Sequence, residues 1–134
     1  MATHRYNLTR AKINLLVLGA IFGLAVVARA QELPDKVSFN FDVRPILSEN
    51  CFFCHGPDAN QRQADLRLDT EDGIADAVEA GDPDASEMVE RIFSHDADTQ
   101  MPPLESGRVL SKRDKSILKK WIEQGARYES RWGF

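Results

Sequence analysis

A chain of 134 residues, 43% hydrophobic and 28% charged, has an ordinary globular composition, which excludes a disordered protein and leaves room for one small domain plus a targeting segment. Its two cysteines, Cys51 and Cys54, are too few for a disulfide scaffold, which needs several bridges. Residues 1–30 hold four of the 17 basic residues and no acidic one; the remainder carries 13 basic against 21 acidic residues, a net charge of −8, which argues against nucleic acid as a partner.

Arg5, Arg10 and Lys12 form a basic lead, and Ile13 to Val27 is uncharged and mostly apolar. Ala28-Arg29-Ala30 then has the small-x-small form of a signal-peptidase site. This order is that of a secretory signal peptide. An uncleaved membrane anchor is the rival, but the apolar run is 15 residues, against the roughly 20 that span a bilayer. The expectation is an exported chain, periplasmic or otherwise extracytoplasmic, without a transmembrane span once 1–30 is removed. It would be membrane-anchored only if that segment stays.

Residues 31–38 read as a short linker, and 39–134 as the domain. A first helix is expected from about Val43 to Asn50, with Asp42 as N-cap and Pro45 in the first turn, where proline needs no donor. Val43, Ile46 and Leu47 supply its apolar stripe. Gly56 to Leu68 is polar and reads as a loop, and Thr70 to Ala80 as one or two weak helical turns. Asp82-Pro83 reads as a helix start, followed by Ala85, Met88, Val89, Ile92 and Phe93 on one face up to Ser94. Residues 95–107 have turn and proline chemistry. The last helix begins at Ser111 with Asp114 completing a capping box, carries Ile117, Leu118, Trp121 and Ile122 on one face, and stops at Gly125. The chain is therefore expected to be all-α, with three to four short helices and long loops. So little regular structure makes a poor core alone and calls for an apolar group to pack around.

The run Cys51-Phe52-Phe53-Cys54-His55 identifies that group. Two cysteines two residues apart, with histidine next, match the attachment pattern of a c-type haem. Each sulfur can add to one vinyl group, and the adjacent imidazole can ligate the iron from one face. A redox dithiol would need a strand-helix-strand context, which is absent, and zinc would need further cysteines. One covalent haem c per chain is expected, held by Cys51 and Cys54, with His55 as proximal iron ligand.

For the other face of the iron the chain offers Met88, His95 and Met101. Met88 belongs to an apolar helical stripe, where packing explains it. His95 lies among acidic residues in a loop, as a solvated histidine would. Met101 precedes Pro102-Pro103 outside any helix and has no apolar neighbours to account for it; the prolines stiffen the backbone that presents it. Met101 is thus the preferred distal ligand.

The block from Phe39 to Asp58, which includes Phe39-Asn40-Phe41-Asp42-Val43-Arg44-Pro45-Ile46-Leu47 and the cysteine run, resembles the opening of the planctomycete-type cytochrome c domain. Leu66-Arg67-Leu68-Asp69, Gly81-Asp82-Pro83-Asp84-Ala85-Ser86, Met101-Pro102-Pro103 and Trp121-Ile122-Glu123-Gln124-Gly125-Ala126 resemble its later blocks, in order. The resemblance spans 39–134. It implies a small all-α cytochrome c fold around haem bound at Cys51, Cys54 and His55, and supports Met101 as distal ligand. The family's domain usually opens a much longer chain, so a stand-alone version and a part of a longer protein are both open.

The expected function is single-electron transfer between redox partner proteins, without a substrate or a catalytic residue. Two other classes compete. An open sixth position would make a peroxidase-like enzyme or a gas or redox sensor. Alternatively the domain is the electron inlet of a larger oxidoreductase, for which Tyr128, Trp132 and Phe134 offer an aromatic surface, or else packing. The export reading predicts that chains recovered from the periplasm begin at Gln31; mass spectrometry showing a start near Met1 would establish the anchor instead.

Overall fold

A computed structural model of the chain describes residues 32–130. The signal-like segment, Gln31, Trp132 and Phe134 lie outside the described residues. Among the described residues there is no strand, and no helix is long and apolar enough to cross a membrane. The described residues form five α-helices: α1 (Arg44–Asn50), α2 (Phe52–His55), α3 (Glu71–Ala75), α4 (Glu87–Phe93) and α5 (Lys112–Glu123). The all-α expectation holds. The count exceeds three to four because the cysteine run is itself helical, as α2, and because the weak turns after Thr70 include a short helix.

The first helical segment starts a turn earlier than Asp42. A π-helical turn, Phe39–Val43, leads directly into α1. The Ser38 hydroxyl caps it by accepting from Phe41 N, and Asp42 reaches back to accept from Ser38 N at 2.8 Å. Burial drives the early start: Phe39 and Val43 are fully buried, and the Phe39 ring lies 5.5 Å from Trp121 and 4.7 Å from Tyr128. The stretch read as a linker also packs on the domain. Leu33 lies against the core and Val37 is buried. Gln124 pins this stretch from both ends of its amide, accepting from Val37 N at 2.9 Å and donating to Asp35 O at 2.6 Å.

Asp82 caps a turn, not a helix. Its Oδ1 accepts from Asp84 N and Ala85 N, both at 3.1 Å, which closes the turn locally. Ser86, buried at 2% exposure, donates its hydroxyl to Asp82 O and accepts from Glu79 N, so α4 starts only at Glu87. Met88, Val89 and Ile92 are buried as their spacing requires, while Phe93 stays exposed. The α5 capping box of Ser111 and Asp114 is present, and Ile117, Leu118, Trp121 and Ile122 form the buried face. Tyr128 is used for packing: its ring meets Phe39 and its hydroxyl donates to Asp69 O at 3.1 Å.

The start of α3 is unusually tight. Thr70 caps it by accepting from Gly73 N, and a Cβ on Gly73 would lie 1.9 Å from Arg67 O. Gly73→Ala forces backbone apart and is expected to cost at least about 2 kcal/mol, more than the roughly 1 kcal/mol for the cap loss in Ser111→Ala. Denaturant unfolding followed by helical circular dichroism checks this; equal or reversed losses would contradict the packing argument.

Candidate haem-binding site

Cys51 is a backbone corner. Its N–H still donates to Leu47 O at 2.8 Å, as the end of α1, but φ −121° and ψ −38° take it out of the helix. Its carbonyl then accepts from His55 N at 2.8 Å and Cys54 N at 3.1 Å, which starts α2. Both cysteines are free and partly buried. The chain turns back at Gly56, where a Cβ would lie 2.1 Å from Phe52 O, so no larger residue fits behind the histidine. The polar loop then covers the end of α2: Gln63 N donates to Cys54 O at 2.7 Å and Leu68 N to His55 O at 2.8 Å.

Two cavities, about 370 and 140 Å³, share Cys51, His55, Ala64, Ile92 and Met101 as common wall. The larger continues over Leu47, Leu68, Met88 and Leu118 and reaches Asp76, Glu87 and Arg91. The smaller adds Cys54, Phe53, Pro102, Pro103 and Arg108. Walls that are mainly aliphatic with a few polar groups suit a flat apolar cofactor.

Burial dominates the electrostatics of the site. Burial lowers the His55 pKa; a backbone contact with Gln63 opposes this, and the charge of Arg91 adds to it. Neutral imidazole, the form that ligates metal, is thereby favoured. His55 Nδ1 is buried and has no hydrogen-bond partner among the described residues, although buried polar atoms are usually paired. Burial, helped by neighbouring Cys54 and opposed by Arg108, pushes the Cys51 thiol up to about 12. A dithiol oxidoreductase works through a low-pKa thiolate, and Cys51 is the opposite.

The three candidates for the second iron face fall in different places. Met101 lines both cavities, and its N–H donates to Arg91 O at 3.0 Å. The Met101–Pro102 peptide is cis, and Pro102 is buried. Met88 lines the larger cavity alone and is 6% exposed in the core face of α4. His95 is exposed and lines neither.

Residues 51–105 match the family model of the planctomycete cytochrome C. This stretch is similar to the planctomycete cytochrome C family. The match runs from the first cysteine to just beyond Met101-Pro102-Pro103, so it includes Cys51, Cys54, His55 and Met101. No curated protein and no solved structure gives a match. A cytochrome c domain points to haem-based electron transfer, and Cys51 and Cys54 stand in it at the spacing that attachment needs.

Sequence reasoning missed Arg91, Arg108 and Phe53 on the cavity walls. Arg108 donates from Nε to Glu49 O at 3.1 Å and lies 4.9 Å from the Phe53 ring centroid. No local pattern distinguishes Arg91 and Arg108 from ordinary surface charges or Phe53 from an ordinary apolar side chain, since it is tertiary packing that brings them to the cavity walls.

Proposed function

We propose that this cytochrome is an exported single-electron carrier with one haem c, joined covalently at Cys51 and Cys54, with His55 and Met101 on opposite faces of the iron. The observation that carries the reading is the shared wall: Cys51, His55 and Met101, 50 positions apart at the extremes, line the same two cavities. The residues fit the group. An unpaired buried imidazole nitrogen, two thiols on the wall and aliphatic surroundings are what a thioether-linked haem requires.

When bound, the haem supplies a one-electron ferric/ferrous couple. The chain's own residues set its surroundings. Leu47, Leu68 and Leu118 keep water from the larger cavity, and burial keeps His55 neutral. Met101 offers a soft, weak donor that favours the ferrous state, and Arg91 O fixes its backbone. Asp65, Asp76 and Glu87 on the same wall act the other way, by stabilising positive charge. Export accords with thioether formation outside the cytoplasm, and the donor and acceptor are redox proteins.

Acid-acetone treatment of the denatured, exported chain is expected to leave the colour on the polypeptide; full extraction would refute covalent attachment. Met101→Ala is expected to abolish the weak iron–sulfur absorption band at the red edge of the visible spectrum. It should also lower the midpoint potential by on the order of 0.1 V, within the roughly 0.8 V that axial ligands command. Met88→Leu and His95→Ala should leave both unchanged. A band that survives Met101→Ala places the sulfur ligand elsewhere and turns the reading towards an open-site enzyme or sensor.

A further inference from the structure

We propose that Arg91 binds a carboxylate of the haem, with Glu87 as the residue that positions it; this rests on the haem reading above. A haem joined through its vinyl groups carries two propionate carboxylates on the opposite edge of the ring. The vinyl edge belongs where the cysteines are. Cys51 and Cys54 together line the smaller cavity, whereas the larger contains Cys51 without Cys54 and extends away over α4 and α5. The carboxylate edge therefore falls in the larger cavity.

That cavity is a poor place for anions unless a cation answers them. Asp65, Asp76 and Glu87 line it, and Arg91 is its one Lys or Arg among the described residues. The other nearby guanidinium groups are set apart by position: Arg62 pairs with Asp65 at 3.2 Å and Arg67 with Asp69 at 2.6 Å without lining this cavity, and Arg108 lines the smaller one, at the cysteine side. Arg91 is held but not used up. Its Nε and Nη2 both donate to the same oxygen, Glu87 Oε1, at 2.7 and 2.6 Å. Of the five guanidinium N–H groups, three remain for a second carboxylate, in the planar fork that suits one. Glu87 and Arg91 stand four residues apart on α4, so the helix sets the angle of the fork. The Arg91 side chain is 40% exposed, which puts it at the cavity rim, within reach of both cofactor and water. Its own carbonyl accepts from Met101 N. One residue thus ties the carboxylate edge to the loop that presents the distal sulfur.

The test uses the full haem-loaded chain and two readings at fixed pH, the propionate bending band in resonance Raman and the midpoint potential. Arg91→Gln is expected to shift the band and lower the potential, because a positive charge that favours the ferrous state is lost. Arg91→Lys should keep most of the potential yet still shift the band, since a point charge cannot form the bidentate contact. Glu87→Gln leaves the guanidinium free to turn fully to the haem, and should shift the band in the opposite direction and raise the potential. An unmoved band in all three variants, with the haem still covalent, overturns the inference alone. Colour that leaves the unaltered chain in acid acetone overturns the haem reading and this inference with it.

Discussion

The site depends on the hydrogen bonding of one residue, Cys51. Its N–H closes α1 on Leu47 O, and its carbonyl opens α2 by accepting from Cys54 N and His55 N. The helix is interrupted there, and two thiols and an imidazole that are close in sequence line the smaller cavity together. The loop that follows reinforces the corner by supplying N–H donors to Cys54 O and His55 O. These carbonyls belong to the last helical turn and would otherwise lack partners. The polar composition of 56–68 is therefore compatible with a structural role, in which the backbone binds the cysteine run while most side chains from Pro57 to Asp65 face water.

A second set of contacts holds the walls. Phe39 sits between Trp121 and Tyr128, and the Arg44 guanidinium lies 4.8 Å from the Phe39 ring centroid. Arg44 also donates to Glu129 O at 2.7 Å, while Glu129 accepts from Ser38 Oγ and Asn40 N, both at 3.0 Å. These hydrogen bonds pull the Glu129 carboxylate below its ordinary pKa. The beginning and end of the described domain are thus fastened to each other through α1 and α5. Leu47 of α1 and Leu118 of α5 are cavity walls, so this latch helps to define the cavity without touching it.

The charge arrangement follows the same division. The cavity centre is aliphatic and favours neutral forms: burial lowers the His55 pKa and raises that of Cys51. Charges lie at the rim: Asp65, Asp76, Glu87 and Arg91 around the larger cavity, and Arg108 at the smaller. An apolar centre with charges at its edge is an arrangement that can tune a redox couple.

Helical periodicity was legible in the sequence because it is local. The apolar stripes of α1 and α5, the Met88, Val89 and Ile92 part of the α4 stripe and the Ser111–Asp114 capping box each depend on residues a few positions apart and are found where they were expected, whereas Ala85 and Phe93 are exposed. Cap chemistry misled where two structures compete for the same group. Asp82 closes a turn of its own because Ser86 is drawn into the core, and Phe39 starts its helix early because Trp121 and Tyr128 receive it. The packing of Leu33 and Val37 on the core was hidden for the same reason, since Gln124, 87 positions from Val37, holds that segment down. The placement of Met101, Arg91 and Arg108 around common cavities was decided by tertiary structure alone. Proximity across 40 or 50 residues comes from how loops close over a core, and no local pattern in the sequence encodes that distance.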